Sequence, residues 1–176
     1  ARKREPGEPG TSDNTYVEWN PETGILYDNP RKDGIGNSGV INYINKFGEV
    51  TNQHKSNDPV SELYYAAIRY LRGKPNISSY TNKADSNQKK DYFPVVTDWI
   101  DPIQYSCQKN AILGIGDVNT HEDRDLLPSD DKFIDLDSYT KKVFDLEGVN
   151  KTATQVFTGR GNSAYIAGLA YYANIE

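Results

Sequence analysis

Apolar residues along this chain recur in two ways: at the spacing of a helix face, and in one short unbroken run. In GVINYINKFG, Val40, Tyr43, Ile44 and Phe47 fall at i, i+3, i+4 and i+7, with Ser38 as a candidate cap and Gly48 beyond the last turn. DPVSELYYAAIRYLRG is the clearest helix. Asp58 can cap its free N–H groups, Pro59 suits its first position, Leu63, Ala66, Ala67, Tyr70 and Leu71 form an apolar face, and Gly73 ends it. Leu136, Tyr139, Val143 and Leu146 predict another amphipathic helix, stopped by Gly148. GNSAYIAGLAYYANIE is apolar nearly all round, and its small residues Ala167, Gly168 and Ala170 suit close packing on a sheet.

The unbroken run is AILGI, bounded by Lys-Asn and Gly-Asp. Such a run fits a central strand covered on both faces, as in a parallel sheet. FPVVTDWI is a second candidate strand, and TYVEWNPETGILYDN reads as a hairpin or irregular β excursion around Pro-Glu-Thr-Gly. Helices alternating with buried strands predict an α/β layer, with AILGI flanked by helices over 59–72 and 163–173. Lys74 to Asp91 has no periodicity and reads as a mobile surface insertion. NPRKDGIGNSG is a long turn, since Asp28 and Asp33 miss EF-hand spacing.

Composition narrows the picture. A chain of 176 residues is long enough for one domain with a real core. Residues 1–15, led by ARKREPGEPG, read as a flexible leader or linker, and 16–176 as the domain. A net charge of −5 without a basic stripe argues against nucleic acid. No run of about 18 apolar residues exists, so no segment is expected to span a membrane. Cys107 is alone and cannot close an internal disulfide; it reads as a small buried residue or as half of a bridge to a partner elsewhere.

The chemistry concentrates in GIGDVNTHEDRDLL, where Asp117, Asn119, His121, Asp123 and Asp125 stand at every second position. Asp and Asn also serve loops by bonding nearby backbone, and that plainer reading covers most of the five. If AILGIG is a strand, Asp117 and Asn119 lie at its carboxyl end, where ligands of open α/β sheets bind. Asp58 then pairs with Asp117 as oxygen donors for Mg²⁺ or Ca²⁺. GDVNTH superficially resembles elements of two-metal phosphoesterases, so a metal-dependent hydrolase centred on the loop from Gly114 to Asp125 is the alternative. Such centres need more histidine than His54 and His121 supply, and no Gly-x-Ser-x-Gly elbow offers a serine nucleophile. GRGN, before the last helix, is a Gly turn into a cap or an anion-holding loop.

Four phrases in series, GNSGVINYINKFG, DPVSELYYAAIRYLRG, DPIQYSCQKNAILGIGDVNTH and GRGNSAYIAGLAYYA, resemble the PilC/PilY-type proteins of type IV pili. The likeness runs from about Glu18 to the C-terminus. It implies a non-enzymatic tip-associated adhesin and assembly factor, passing from the periplasm to the cell surface or pilus tip. Its implied partners are pilus subunits or minor pilins and a host or surface receptor. It also implies a fold: a section of a von Willebrand factor A-like domain, a doubly wound α/β sheet with flanking helices and long loops. The adhesion site of that fold uses an Asp-x-Ser-x-Ser loop, a Thr and a later Asp. By resemblance Asp58 stands at the Thr position and Asp117 at the later Asp, with Asn119 beside it. Asp replaces Thr, and Asp-x-Ser-x-Ser is missing from these 176 residues. The implied metal set, Asp58, Asp117 and Asn119, therefore holds Ca or Mg weakly in this chain alone.

Overall fold

The computed structural model describes residues 17–32, 37–52, 57–82, 88, 90–103, 105–116, 120–124, 134–156 and 159–175. Among these the regular structure is helical: α1 (Val40–Lys46), α2 (Val60–Leu71), α3 (Ser78–Thr81), α4 (Leu136–Leu146) and α5 (Tyr165–Ile175). One isolated antiparallel bridge, Trp19 with Leu26, is the sole β pairing among the described residues. The expected doubly wound, von Willebrand factor A-like α/β sheet is therefore wrong. AILGI pairs with no strand, and Leu113 and Ile115 are 84% and 92% exposed. FPVVTDWI is no strand either: Phe93 is buried while Val95 and Val96 are exposed. The reason is non-local. An apolar run becomes a buried strand only where neighbouring strands exist to pair with it.

Two compact units divide the chain, the first made of 1–55, 78–99 and 104–106, the second of 56–77, 100–103 and 107–176. In the first, Pro-Glu-Thr-Gly is a turn as expected. Tyr27 N donates to Glu18 O at 2.9 Å, Asn20 N to Ile25 O at 2.8 Å, and Gly24 supplies the positive φ of 71°. That hairpin presents Glu18 to α1. Its Oε1 accepts from Val40 N and its Oε2 from Ile41 N, each at 2.8 Å. Glu18, not Ser38, caps α1. Ser38 instead bonds Asn29 Oδ1 at 2.6 Å and accepts from Arg31 N.

The face that α1 buries is only partly the expected one, since Val40 and Ile44 are exposed and Asn42 is buried. Asn42 Nδ2 donates to the carbonyls of Tyr27, Asp28 and Ser38, tying the loop before the helix to the helix itself. Tyr43 and Phe47, the other half of the expected face, pack against Phe93. Just past α1, buried Asp91 gathers the next turn: its carboxylate accepts from Gly48 N, Val50 N, Thr51 N and Thr51 Oγ1. The stretch Lys74 to Asp91 thus ends in a fastened residue and contains helical α3, where only a mobile insertion was expected.

In the second unit α5 packs against α4 and α2. Helix-on-helix packing meets the apolar breadth that suggested a sheet. Gly168 makes the approach possible: a Cβ there would run into Thr140 Oγ1 and lie 2.8 Å from Thr140 N and 3.0 Å from Leu136 O. The small residues of α5 therefore serve a helix neighbour. α4 buries Leu136, Thr140 and Phe144, one residue round from the expected stripe, and Leu146 is exposed. Asp135 caps it through Ser138 N at 3.0 Å, and Gly148 follows with φ 69°. α2 buries Ser61, Tyr65, Ile68 and Arg69, while Leu63 is 72% exposed. The buried face of α2 starts on a serine, and the loop described next explains why.

Candidate functional site

Residues 120–124 lie along the turn formed by GRGN and bond to it. Glu122 N donates to Arg160 O at 2.8 Å, Asp123 N to Gly161 O at 2.9 Å, and Arg124 Nε to Asn162 O at 3.1 Å. Both sides have unusual backbone. Glu122 and Arg160 hold positive φ of 53° and 42°, and Gly159 and Gly161 hold 96° and 67°. Non-glycine residues in that region are strained and persist only where surrounding bonds hold them, as here.

The pairing delivers Asp123 into the interior, where it is fully buried with Ser61 and Ser163. Asp123 Oδ1 accepts from Ser61 N at 2.7 Å, and Oδ2 accepts from Ser61 Oγ at 2.8 Å. Ser163 Oγ lies 2.6 Å from Asp123 O and 3.0 Å from its Oδ2, so it can donate to either, and it accepts from Tyr165 N. One carboxylate therefore caps the start of α2 and, through Ser163, the start of α5. Carboxylates favour helix N-termini because free N–H groups and the helix dipole converge there. GRGN acts as the expected turn into a cap, and its carbonyls accept from residues 122–124.

Displaced from capping, Asp58 turns to the loop. Its Oδ2 lies 2.9 Å from His121 Nδ1, and His121 N donates to Asp58 O at 3.3 Å. Both side chains are partly exposed. Of the expected metal set, the described residues include only Asp58, which is paired with His121. Asp117 and Asn119 lie outside the described residues, as do Asp125, His54, Asp33 and residues 1–15. Among the described residues no group of three or more His, Cys, Asp or Glu stands close enough to share a metal ion. Asp58 and His121 alone fall short of the six to eight oxygens of calcium. Cys107, read as a small buried residue or as half of a bridge to a partner elsewhere, is not buried but exposed.

Elsewhere in the unit, Tyr165 OH donates to Asp137 Oδ1 at 3.1 Å, joining α5 to α4. Burial first, and then the Asp137 charge, push its phenol above the usual value.

The Asp123 hub was visible only as one of five alternating polar residues. The signal that could have found it is Ser61, a polar residue at i, i+4, i+7 with Tyr65 and Ile68.

A helical module of loops fastened by buried carboxylates, with no helix long and apolar enough among the described residues to cross a membrane, is what the structure defines. Sequence comparison gives its class: it is a type IV pilus-related protein. The chain belongs to the PilY1-homolog family. The family model described as "PilY1 homolog, second domain" matches residues 31–173. A relative from Xylella fastidiosa (strain Temecula1), "Type IV pilus biogenesis factor PilY1 homolog", is 39% identical over 211 residues, covering 96% of this chain. The chain spans 17% of that curated relative's length. No solved structure matches.

Proposed function

We propose that this chain is a non-enzymatic module of a type IV pilus biogenesis factor, acting by protein contact with pilus subunits or minor pilins. Its place is the periplasm and then the cell surface or pilus tip, where it also takes part in adhesion to a host or surface receptor. The observation that carries the reading is membership of the PilY1-homolog family, whose curated relative is named a type IV pilus biogenesis factor. The site adds support, because the donors and acceptors of Asp123, Ser61 and Ser163 are spent on holding α2, α5 and the loop together. The test is complementation. A strain lacking the gene is given the full-length gene, wild type or with Asp123→Ala, and surface pili and attached cells are counted. Wild type restores both; restoration of neither, with the protein present at its normal level, sinks the proposal.

A divalent cation is a second part of the proposal. Asp58 offers a partly exposed carboxylate beside His121, and Asp117 and Asn119 stand a few residues away in sequence. With waters completing the shell, Ca²⁺ or Mg²⁺ binds on the order of millimolar, as in loosely built extracellular sites. Isothermal titration on the chain and on Asp58→Ala and Asp117→Ala checks this. Micromolar affinity, or an isotherm unchanged in both variants, refutes it.

A further inference from the structure

Two Asp–Pro bonds occur in this chain, Asp58–Pro59 and Asp101–Pro102, and the structure treats them differently. Such a bond is open to attack by its own side chain, because the Asp carboxylate can close a five-membered ring on the neighbouring carbonyl carbon. Proline is the better leaving group, since its nitrogen belongs to a tertiary amide and takes up a proton more readily than a secondary one. At Asp101 the carboxylate is engaged elsewhere: Oδ1 accepts from Ile103 N at 2.8 Å. At Asp58 three features converge. Its carbonyl oxygen accepts from two N–H groups, Val60 N at 2.8 Å and His121 N at 3.3 Å. The first closes a tight turn around Pro59, whose φ of −75° and ψ of 70° are those of an inverse γ-turn. Asp58 Oδ2 meets His121 Nδ1 at 2.9 Å, and the carboxylate is half-exposed, so water reaches it.

We propose that Asp58–Pro59 is a self-cleavage site, used once per chain and worked by Asp58 and His121. Asp58 Oδ1 attacks its own carbonyl carbon, and the developing oxyanion is held by the N–H groups of Val60 and His121. As the C–N bond breaks, the proton shared by Asp58 Oδ2 and His121 Nδ1 passes to the Pro59 nitrogen. The electron pair of that bond stays with nitrogen, leaving an amine at Pro59 and a cyclic anhydride at Asp58. Water then opens the anhydride to two carboxyl groups, so the net change is hydrolysis of one peptide bond. The cut chain stays together. Gly48, Val50 and Thr51 on one side of the cut bind Asp91 on the other, and Tyr43 and Phe47 pack on Phe93. A covalent link thereby gives way to hydrogen bonds and ring contacts, which separate under a pulling force. The inference rests on neither adhesion nor metal binding.

Fragment analysis of the full-length protein tests it. The folded protein is incubated for days with a chelator, so that no cation holds Asp58, then denatured, and the N-termini of its fragments are sequenced. A fragment beginning Pro59-Val60-Ser61 should accumulate while Asp101–Pro102 stays intact. Asp58→Ala removes the nucleophile and should abolish that fragment. His121→Ala keeps the backbone N–H but removes the imidazole, and should slow the cut about 100-fold. Both side chains are partly exposed, and circular dichroism checks that each variant folds. Should His121→Ala not fold, wild type unfolded in urea takes its place and should cut no faster at Asp58–Pro59 than at Asp101–Pro102. An intact wild-type chain overturns the proposal. So does equal cleavage of the two Asp–Pro bonds in the folded protein, a cut that persists in Asp58→Ala, or a rate that neither His121→Ala nor unfolding lowers.

Discussion

Replacing Asp123 by Ala takes the acceptor from Ser61 N and Ser61 Oγ and leaves Ser163 Oγ only the backbone carbonyl. A buried donor left unmet costs about 1–3 kcal/mol, so Asp123→Ala should lose ~3–5 kcal/mol in urea denaturation. Asp58→Ala, which loses only a partly exposed contact with His121, should lose less than about 1 kcal/mol. Similar losses in the two variants would remove the hub assigned to Asp123. Asp91 supplies a pH signature. Burial pushes its carboxyl up, but hydrogen bonds from Thr51 Oγ1, Thr51 N, Gly48 N and Val50 N outweigh burial and hold it below the ordinary Asp value of 3.8. Its folded value is thus the lower one. The stabilisation it brings is full above the unfolded value and is lost as pH falls through the folded value. The stability gap between wild type and Asp91→Asn should therefore be constant from about pH 7 to 5 and close below about pH 4. A gap that widened on acidification would contradict the carboxylate's role.

Helix contacts carry the next two expectations. A methyl group at position 168 has backbone and hydroxyl atoms of α4 in its way. Gly168→Ala gains up to about 1 kcal/mol of helix propensity but overpacks the α4–α5 contact, so the net is a loss of ~1–2 kcal/mol. An increase in thermal stability would show that α5 can shift aside. On α2, Ile68→Ala should cost about 2–5 kcal/mol and Leu63→Ala no more than about 0.5 kcal/mol, because Ile68 is buried and Leu63 is exposed. The four longer helices were legible from periodicity and glycine stops, and all four exist. Their faces were read less well. Ser61, Asn42 and Thr140 are buried polar residues, which a hydrophobic pattern assigns to solvent. Each is inside because a partner accepts or donates there: Asp123 for Ser61, three loop carbonyls for Asn42, and Leu136 O for Thr140.

For the molecule as a whole, the cation proposal predicts a small linkage. At calcium equal to the dissociation constant the gain is ~0.4 kcal/mol, which raises the melting midpoint of a chain this size by about 1–2 °C. A rise of 10 °C would point to a far tighter site. Family membership was legible because four long phrases in fixed order leave little room for coincidence. Helix positions were legible because turns, periodicity and glycine stops act within a few residues. The layer architecture was not, since AILGI reads the same whether a sheet surrounds it or solvent does. What the sequence by itself determined is the family, the helices and the turns. Only the tertiary structure decided which face each helix buries and that remote carboxylates, Glu18 and Asp123, displace the local cap candidates Ser38 and Asp58. Local sequence specifies what a segment can form. Burial and hydrogen-bond partners, which come from residues distant in sequence, determine which of those options is satisfied.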